Sequence, residues 1–260
     1  MTRTQIGAVA GRAEAAAVRR LPRWLVEKVP RDHRESDEAF HRRRRVTAGV
    51  SVAGAGLLGL SLSQPPGSSR FYGLTLGVAG TWLAGGFASG PLHLGWTFGP
   101  GDLLRRPVVR PVLTGAGAFG AFYVAALVAK RVPVLDAAIT KVLRYASQGS
   151  APLVLTTTLA NGLAEEVFFR GALYAAVGTS RPVVTSTAVY GLATVATRNP
   201  ALVLASLAMG TLFGLQRRST GGLQAPVLTH LTWSALMLRY LPPLFQDRPD
   251  VHDPRPAAAG

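Results

Sequence analysis

Long apolar runs alternate with short polar breaks along this chain, and most runs have membrane-crossing length. Hydropathy windowing places spans at Val46–Ser63, Phe71–Leu92, Val112–Ala129, Pro152–Val177, Pro182–Ala196, Ala201–Gln216 and Gln224–Leu241. Several reach the roughly 20 residues that cross a hydrocarbon core about 30 Å thick. The fifth and sixth are short. Val134–Ser147 is weaker and reads as an interfacial helix or a tilted extra span. The pattern predicts an all-α, polytopic transmembrane helical bundle of about seven spans, one more or fewer. Small-xxx-small pairs such as Ala55/Gly59 and Ala116/Gly120, and Gly210-Thr211-Leu212-Phe213-Gly214, predict close helix approach.

Composition supports this reading. Of 260 residues, 48% are hydrophobic and only 16% charged, which is a membrane-protein balance. Four regions follow: a basic N-terminal segment (1–45), a first transmembrane half (46–150), a second half holding the polar motifs (151–245), and a Pro- and charge-rich tail (246–260) expected to be disordered. Residues 1–30 predict an amphipathic surface helix limited by Pro22, and residues 31–41 an irregular polar stretch.

The net charge of +15 does not signify nucleic-acid binding. Residues 1–45 hold twelve Lys/Arg against six acids and end in Arg42-Arg43-Arg44-Arg45, directly before the first span. That is the positive-inside pattern, and it places the N-terminus in the cytoplasm. The cluster also suits anionic lipid headgroups. No Ala-x-Ala site follows the first run, so a cleaved signal peptide is not expected. Cysteine is absent, which excludes disulfides and a cysteine nucleophile. Only three of 28 basic residues are lysine. With the abundant Ala, Gly, Val and Pro, this suggests a GC-rich bacterial genome and a plasma-membrane location.

Against this background the acids stand out. From Val46 to Gln246 there are four, and two are the neighbours Glu165 and Glu166. A carboxylate at the bilayer centre costs at least ~2.5–3.5 kcal/mol on insertion scales and marks a functional site by default. On a helix, Glu166 and Arg170 share a face at i,i+4, and Glu165 is turned about 100° away. One carboxylate is then an ion-pair partner and the other is free to take a proton. His230 and, one turn later, Ser234 lie in the last span. A plain helix-packing ion pair and a hydrogen-bonded core histidine are the bland alternatives.

Glu165-Glu166-Val167-Phe168-Phe169-Arg170-Gly171 resembles the EExxxR motif of the CAAX prenyl protease and bacteriocin-processing (CPBP) family of intramembrane proteases. The resemblance covers about residues 151–240. It implies an intramembrane endopeptidase in which Glu165 activates water, Glu166 and Arg170 are its structural partners, and His230 with Ser234 supports the oxyanion. Two positions depart from the family pattern. In Tyr190-Gly191-Leu192-Ala193-Thr194 the second-motif histidine is Thr194, and the last-motif Asn or Asp is Ser234. A hydroxyl at 194 orients a water but cannot take its proton.

A catalytic zinc usually needs three protein ligands, and the matched region offers only His230, Glu165 and Glu166, with His93 the one further histidine within reach. Metal-free hydrolysis is therefore favoured over a metal site, and no cofactor is expected. The expected partner is a membrane-associated peptide or protein substrate, in a water-filled cavity between spans four, five and seven. The alternative is a catalytically impaired membrane scaffold, immunity or regulatory protein with the same fold. A proton-coupled transporter ranks third, because no internal repeat is present.

Overall fold

The computed structural model describes residues 35–99, 101, 103–178 and 181–245. These form an all-α bundle: α1 (Asp37–Ser61), α2 (Ser69–Ala88), α3 (Val109–Ala129), α4 (Pro133–Ser147), α5 (Ala151–Glu165), α6 (Pro182–Val195), α7 (Pro200–Thr220) and α8 (Gln224–Tyr240). α5 continues through a π-helical stretch, Glu166–Leu173, into a last α turn, Tyr174–Val177. Among the described residues the strands are one antiparallel two-residue pair, β1 (Thr97–Phe98) with β2 (Leu104–Arg105). The surface helix expected in residues 1–30 and the tail 246–260 lie outside the described residues.

Helix starts follow local chemistry. Ser36, Ser68 and Asn199 cap α1, α2 and α7 by accepting from Ala39 N, Phe71 N and Leu202 N at 3.2, 3.2 and 3.1 Å, satisfying orphan donors of the first turn. Proline occupies the first turn of α4, α5, α6 and α7, where its missing N–H costs nothing. The Ser36 cap, with Asp37 and Glu38 in the first turn, corrects the irregular stretch expected over 31–41 from residue 37 onward, and residues 31–34 lie outside the described residues. Helix begins at Asp37, before the apolar run, because acids complement the helix N-terminus.

Contacts at the ends give the chain direction. At one end Arg42 Nη2 donates to Ala88 O (3.1 Å), Trp96 N to Thr220 O (2.8 Å), Leu223 N to His93 O (2.9 Å) and Arg110 Nη1 to Phe98 O (3.1 Å). These join the starts of α1, α3 and α8 to the ends of α2 and α7. At the other end Tyr145 donates to Leu62 O (2.8 Å), Asn199 Nδ2 to Ala138 O (2.8 Å) and Ser150 N to the Tyr72 hydroxyl (3.0 Å). α1, α2, α3, α5, α6, α7 and α8 thus run alternately up and down, and α4 lies across the second end.

Polar groups are buried beside the apolar core, and large apolar side chains lie on the exterior. Glu166, Arg170, Ser186 and Thr229 have no exposure, whereas Val52, Val109, Leu113, Val124 and Leu192 are more than 60% exposed. An apolar exterior of this extent marks a surface for a membrane or another apolar partner. By length and composition one helix among the described residues, Val109–Ala129, is apolar enough to cross a membrane, and Pro182–Val195 is a shorter apolar helix. The basic flank is not wholly outward. Arg43 is 1% exposed and bonds through Nε to both oxygens of Glu35 (2.9 and 3.0 Å) and through Nη1 to Ser89 Oγ (3.1 Å), tying α1 to the end of α2.

The central packing cluster joins Val78, Ala79 and Trp82 of α2 to Ala164, Phe168, Phe169, Ala172 and Leu173, with Ala193 of α6. Trp82 packs on Phe168 and Phe169 at centroid distances of 4.6 and 4.9 Å, and the two phenylalanines meet edge-on at 5.1 Å. The three residues between Glu166 and Arg170 thereby wedge the motif against α2. Gly54 makes room for Trp82: a Cβ there would sit 2.2 Å from its ring. Gly54→Ala is therefore expected to destabilise the protein by about 1–3 kcal/mol through overpacking, read as a lowered unfolding midpoint in detergent. The pair Ala116/Gly120 faces outward, and the close approach falls on Gly115, where a Cβ would lie 2.7 Å from Thr229 O.

Candidate active site

Glu165 and Glu166 lie about 16 Å from the Val177 end of the continuous α5 helix and about 22 Å from its start, at 1.5 Å per residue, near the middle of the bundle. The π-helical stretch begins at Glu166, and every residue from Glu166 to Leu173 is buried. Such π turns recur at functional sites because one inserted residue re-aims the side chains around it.

The two carboxylates take different partners. Glu166 Oε1 meets Arg170 Nη1 at 3.3 Å on its own helix and His230 Nδ1 at 2.9 Å on α8. Both Glu166 and Arg170 have no exposure, and His230 has 6%. Glu165 Oε2 instead accepts a hydrogen bond of 2.5 Å from the Tyr190 hydroxyl on α6. The adjacent acids therefore tie α5 to two neighbouring helices. Glu166 Oε2 and Arg170 Nε and Nη2 make no hydrogen bond among the described residues. The guanidinium lies over the rings of Tyr190 (4.6 Å) and Phe213 (5.1 Å), contacts that stabilise a desolvated cation.

Glycines set the close approaches. A Cβ on Gly162 would lie 3.6 Å from His230 Nε2, and one on Gly210 would lie 3.1 Å from Arg170 Nη2. Gly210-x-x-x-Gly214 thus brings α7 against both the arginine and, through Val183 at 3.0 Å, α6. The His230 ring stacks on Phe213 at 4.8 Å with 21° between planes. With Nδ1–H donating to Glu166, Nε2 beside Gly162 is a second donor only when the ring carries both protons.

Glu165, Glu166, Arg170 and His230 are brought together; Thr194 and Ser234 are not bonded to them. Thr194 is buried one turn past Tyr190 and donates to the Tyr190 carbonyl at 2.8 Å. Ser234 is buried one turn past His230. Asn161, one turn before Glu165, donates through Nδ2 to Thr75 O (3.0 Å) and Thr157 O (2.9 Å). His93 sits in the loop whose carbonyl bonds Leu223 N (2.9 Å), two turns before His230. Among the described residues no group of three or more His, Asp or Glu gathers as a ligand set. An open groove of about 630 Å³ lies elsewhere, between α3 and α7, lined by Arg110, Leu113, Thr114, Gly117, Ala118, Ala121 and Leu212.

Two site residues escaped the sequence reading. Tyr190 was visible only as the aromatic of the second motif; its reach to Glu165 depends on how α6 packs. Arg217 falls directly after the span expected over Ala201–Gln216. It is 6% exposed, its Nε donates to Arg170 O at 2.7 Å, and its guanidinium covers the Tyr174 ring at 5.1 Å. Its signal was the good helix formers that carry α7 on to Thr220.

Residues 147–236 match the family described as type II CAAX prenyl endopeptidase Rce1-like. The segment contains every candidate site residue, and over it the resemblance drawn from the EExxxR motif holds. The family is membrane-embedded, and at family level the match supports proteolysis. No curated protein and no solved structure matches the chain.

Proposed function

We propose that the protein is an intramembrane endopeptidase that hydrolyses a peptide bond in a membrane-associated protein or peptide. The observation that carries this reading is the divided carboxylate pair: Glu166 is committed to Arg170 and His230, while Glu165 bears, among the described residues, one hydrogen bond, from an uncharged hydroxyl. Glu165 removes a proton from water as the water oxygen bonds to the scissile carbonyl carbon. The oxyanion accepts from His230, with Ser234 on the same helix face, an interaction worth ~3–4 kcal/mol per strong donor. As the C–N bond breaks, Glu165 returns the proton to the leaving amine. Thr194, its own proton bonded to Tyr190 O, keeps lone pairs with which to orient the water.

Seven helices cross the bilayer in this reading, with α4 on the far interface and the N-terminus cytoplasmic, where Arg42, Arg44 and Arg45 meet anionic headgroups. Residues 1–45 form the basic segment, 46–150 the first transmembrane half and 151–245 the protease core. The reading needs no resident metal, since the one acid nearest His230 already holds a guanidinium, which repels a second cation. Glu165 is partly exposed whereas His230 is buried, so in this reading the bundle opens beside His230 to admit substrate. The groove between α3 and α7 reaches Leu212, next to the Phe213 that covers His230, and offers an apolar approach. The family description favours catalysis over a non-catalytic scaffold.

Purified protein is expected to cleave a farnesylated Cys-aliphatic-aliphatic-X peptide or a member of a membrane-embedded reporter library, at a rate unchanged by a strong chelator. Cleavage abolished by chelator and restored by zinc would sink the metal-free mechanism.

A further inference from the structure

We infer that Tyr190 positions Glu165 through its hydroxyl, from one turn before the place where the family pattern has a histidine and this chain has Thr194, a role that rests on the hydrolytic reading above. Tyr190 and Thr194 are one turn apart and share a face of α6. Thr194 has no proton left for Glu165, because its hydroxyl is bonded to the Tyr190 carbonyl at 2.8 Å. The tyrosine spans the distance from the turn before, with its hydroxyl 2.5 Å from Glu165 Oε2.

The ring that carries this hydroxyl is fixed on several sides. It packs on Phe169 at 4.6 Å, and the Arg170 guanidinium stands over it at 4.6 Å. Gly210 lies close enough that a Cβ there would come within 3.3 Å of Tyr190 Cδ1. A donor held in this way restricts rotation of the Glu165 carboxylate. With Oε2 occupied, Oε1 is the oxygen left to take the proton. During turnover the water proton passes to Oε1 and then to the leaving amine, and Tyr190 keeps its own proton as a donor throughout. Tyr190 is thus a positioning residue acting through Glu165. A buried tyrosine hydroxyl finds a partner in any well-packed protein, so the test must separate positioning from simple satisfaction.

Wild type, Tyr190→Phe, Thr194→His and the double variant are compared on a quenched-fluorescent farnesylated Cys-aliphatic-aliphatic-X peptide, with membrane-embedded reporters alongside. Tyr190→Phe keeps the ring packing and removes only the hydroxyl. It is expected to lower kcat by about 10- to 100-fold, the scale of a misplaced reacting group, with KM and unfolding midpoint unchanged. Thr194→His in the Tyr190→Phe background is expected to recover about tenfold by placing a donor on the same helix face. Should Tyr190→Phe lose folded protein, a fluorinated tyrosine at position 190 alone keeps the ring and alters the hydroxyl, and kcat is expected to move while KM stays. An unchanged kcat in either variant overturns the role while leaving the protease reading intact. A folded wild type that cuts none of these substrates overturns the protease reading itself, and the role falls with it.

Discussion

Glu165→Gln is expected to lower the cleavage rate by about 10²–10⁴-fold, the usual contribution of a positioned general base, and to leave the fold unperturbed. The amide is nearly isosteric, and its oxygen can still accept from Tyr190. Glu165 makes no hydrogen bond within the Glu166–Arg170–His230 network, so those contacts stay in place. Rate and stability should therefore separate: kcat collapses while the unfolding midpoint in detergent stays within about 0.5 kcal/mol of wild type, as for a substitution outside the large-effect mechanisms. Comparable losses of rate and of folded protein would mean that Glu165 is structural, and the proposed division of labour between the two acids would be wrong.

Arg170→Met should have the opposite signature. Its partner Glu166 has no exposure, and removing one member of a buried ion pair typically costs about 3–5 kcal/mol because the other charge is left uncompensated. His230 still meets Glu166 at 2.9 Å, which places the expected loss near the lower end. The guanidinium also leaves its stack on Tyr190 and Phe213, and Met fills that space without the cation–π attraction. Glu166→Gln with Arg170→Met should recover part of the loss, since removing both charges avoids the uncompensated one. Denaturant unfolding of the two single variants and the double variant measures the coupling. Additive losses would show that the two side chains do not act as a pair.

What the sequence disclosed follows from what apolar surroundings permit. Two acids and an arginine inside an apolar run are too costly to be incidental, so the motif was legible from composition and spacing alone. The helices were legible for a related reason: Gln224–Leu241 was expected and Gln224–Tyr240 is found, and Pro182–Ala196 became Pro182–Val195. The π-helical stretch was not legible, because an i to i+5 register leaves no compositional mark. Nor was the packed face of α3. A helix that is apolar all round carries no moment to say which side packs, so Ala116/Gly120 was chosen where Gly115 makes the contact. Arg217 and Arg43 misled for one reason. Charges at the edge of an apolar run read as solvated flanks, yet one donates to Arg170 O and the other pairs with Glu35. The partition of Glu165 to α6 and Glu166 to α8 depends on three-dimensional packing that no spacing along one helix contains.

The central claim, hydrolysis by a Glu165-activated water, is tested most directly by mass spectrometry of the products when the purified protein acts on the farnesylated peptide and reporter library in ¹⁸O-labelled water. The account predicts two fragments from one internal bond, a single labelled oxygen in the new carboxyl group, and neither product with Glu165→Gln. Intact substrates after incubation with folded wild-type protein, or equal cleavage by wild type and Glu165→Gln, would contradict it.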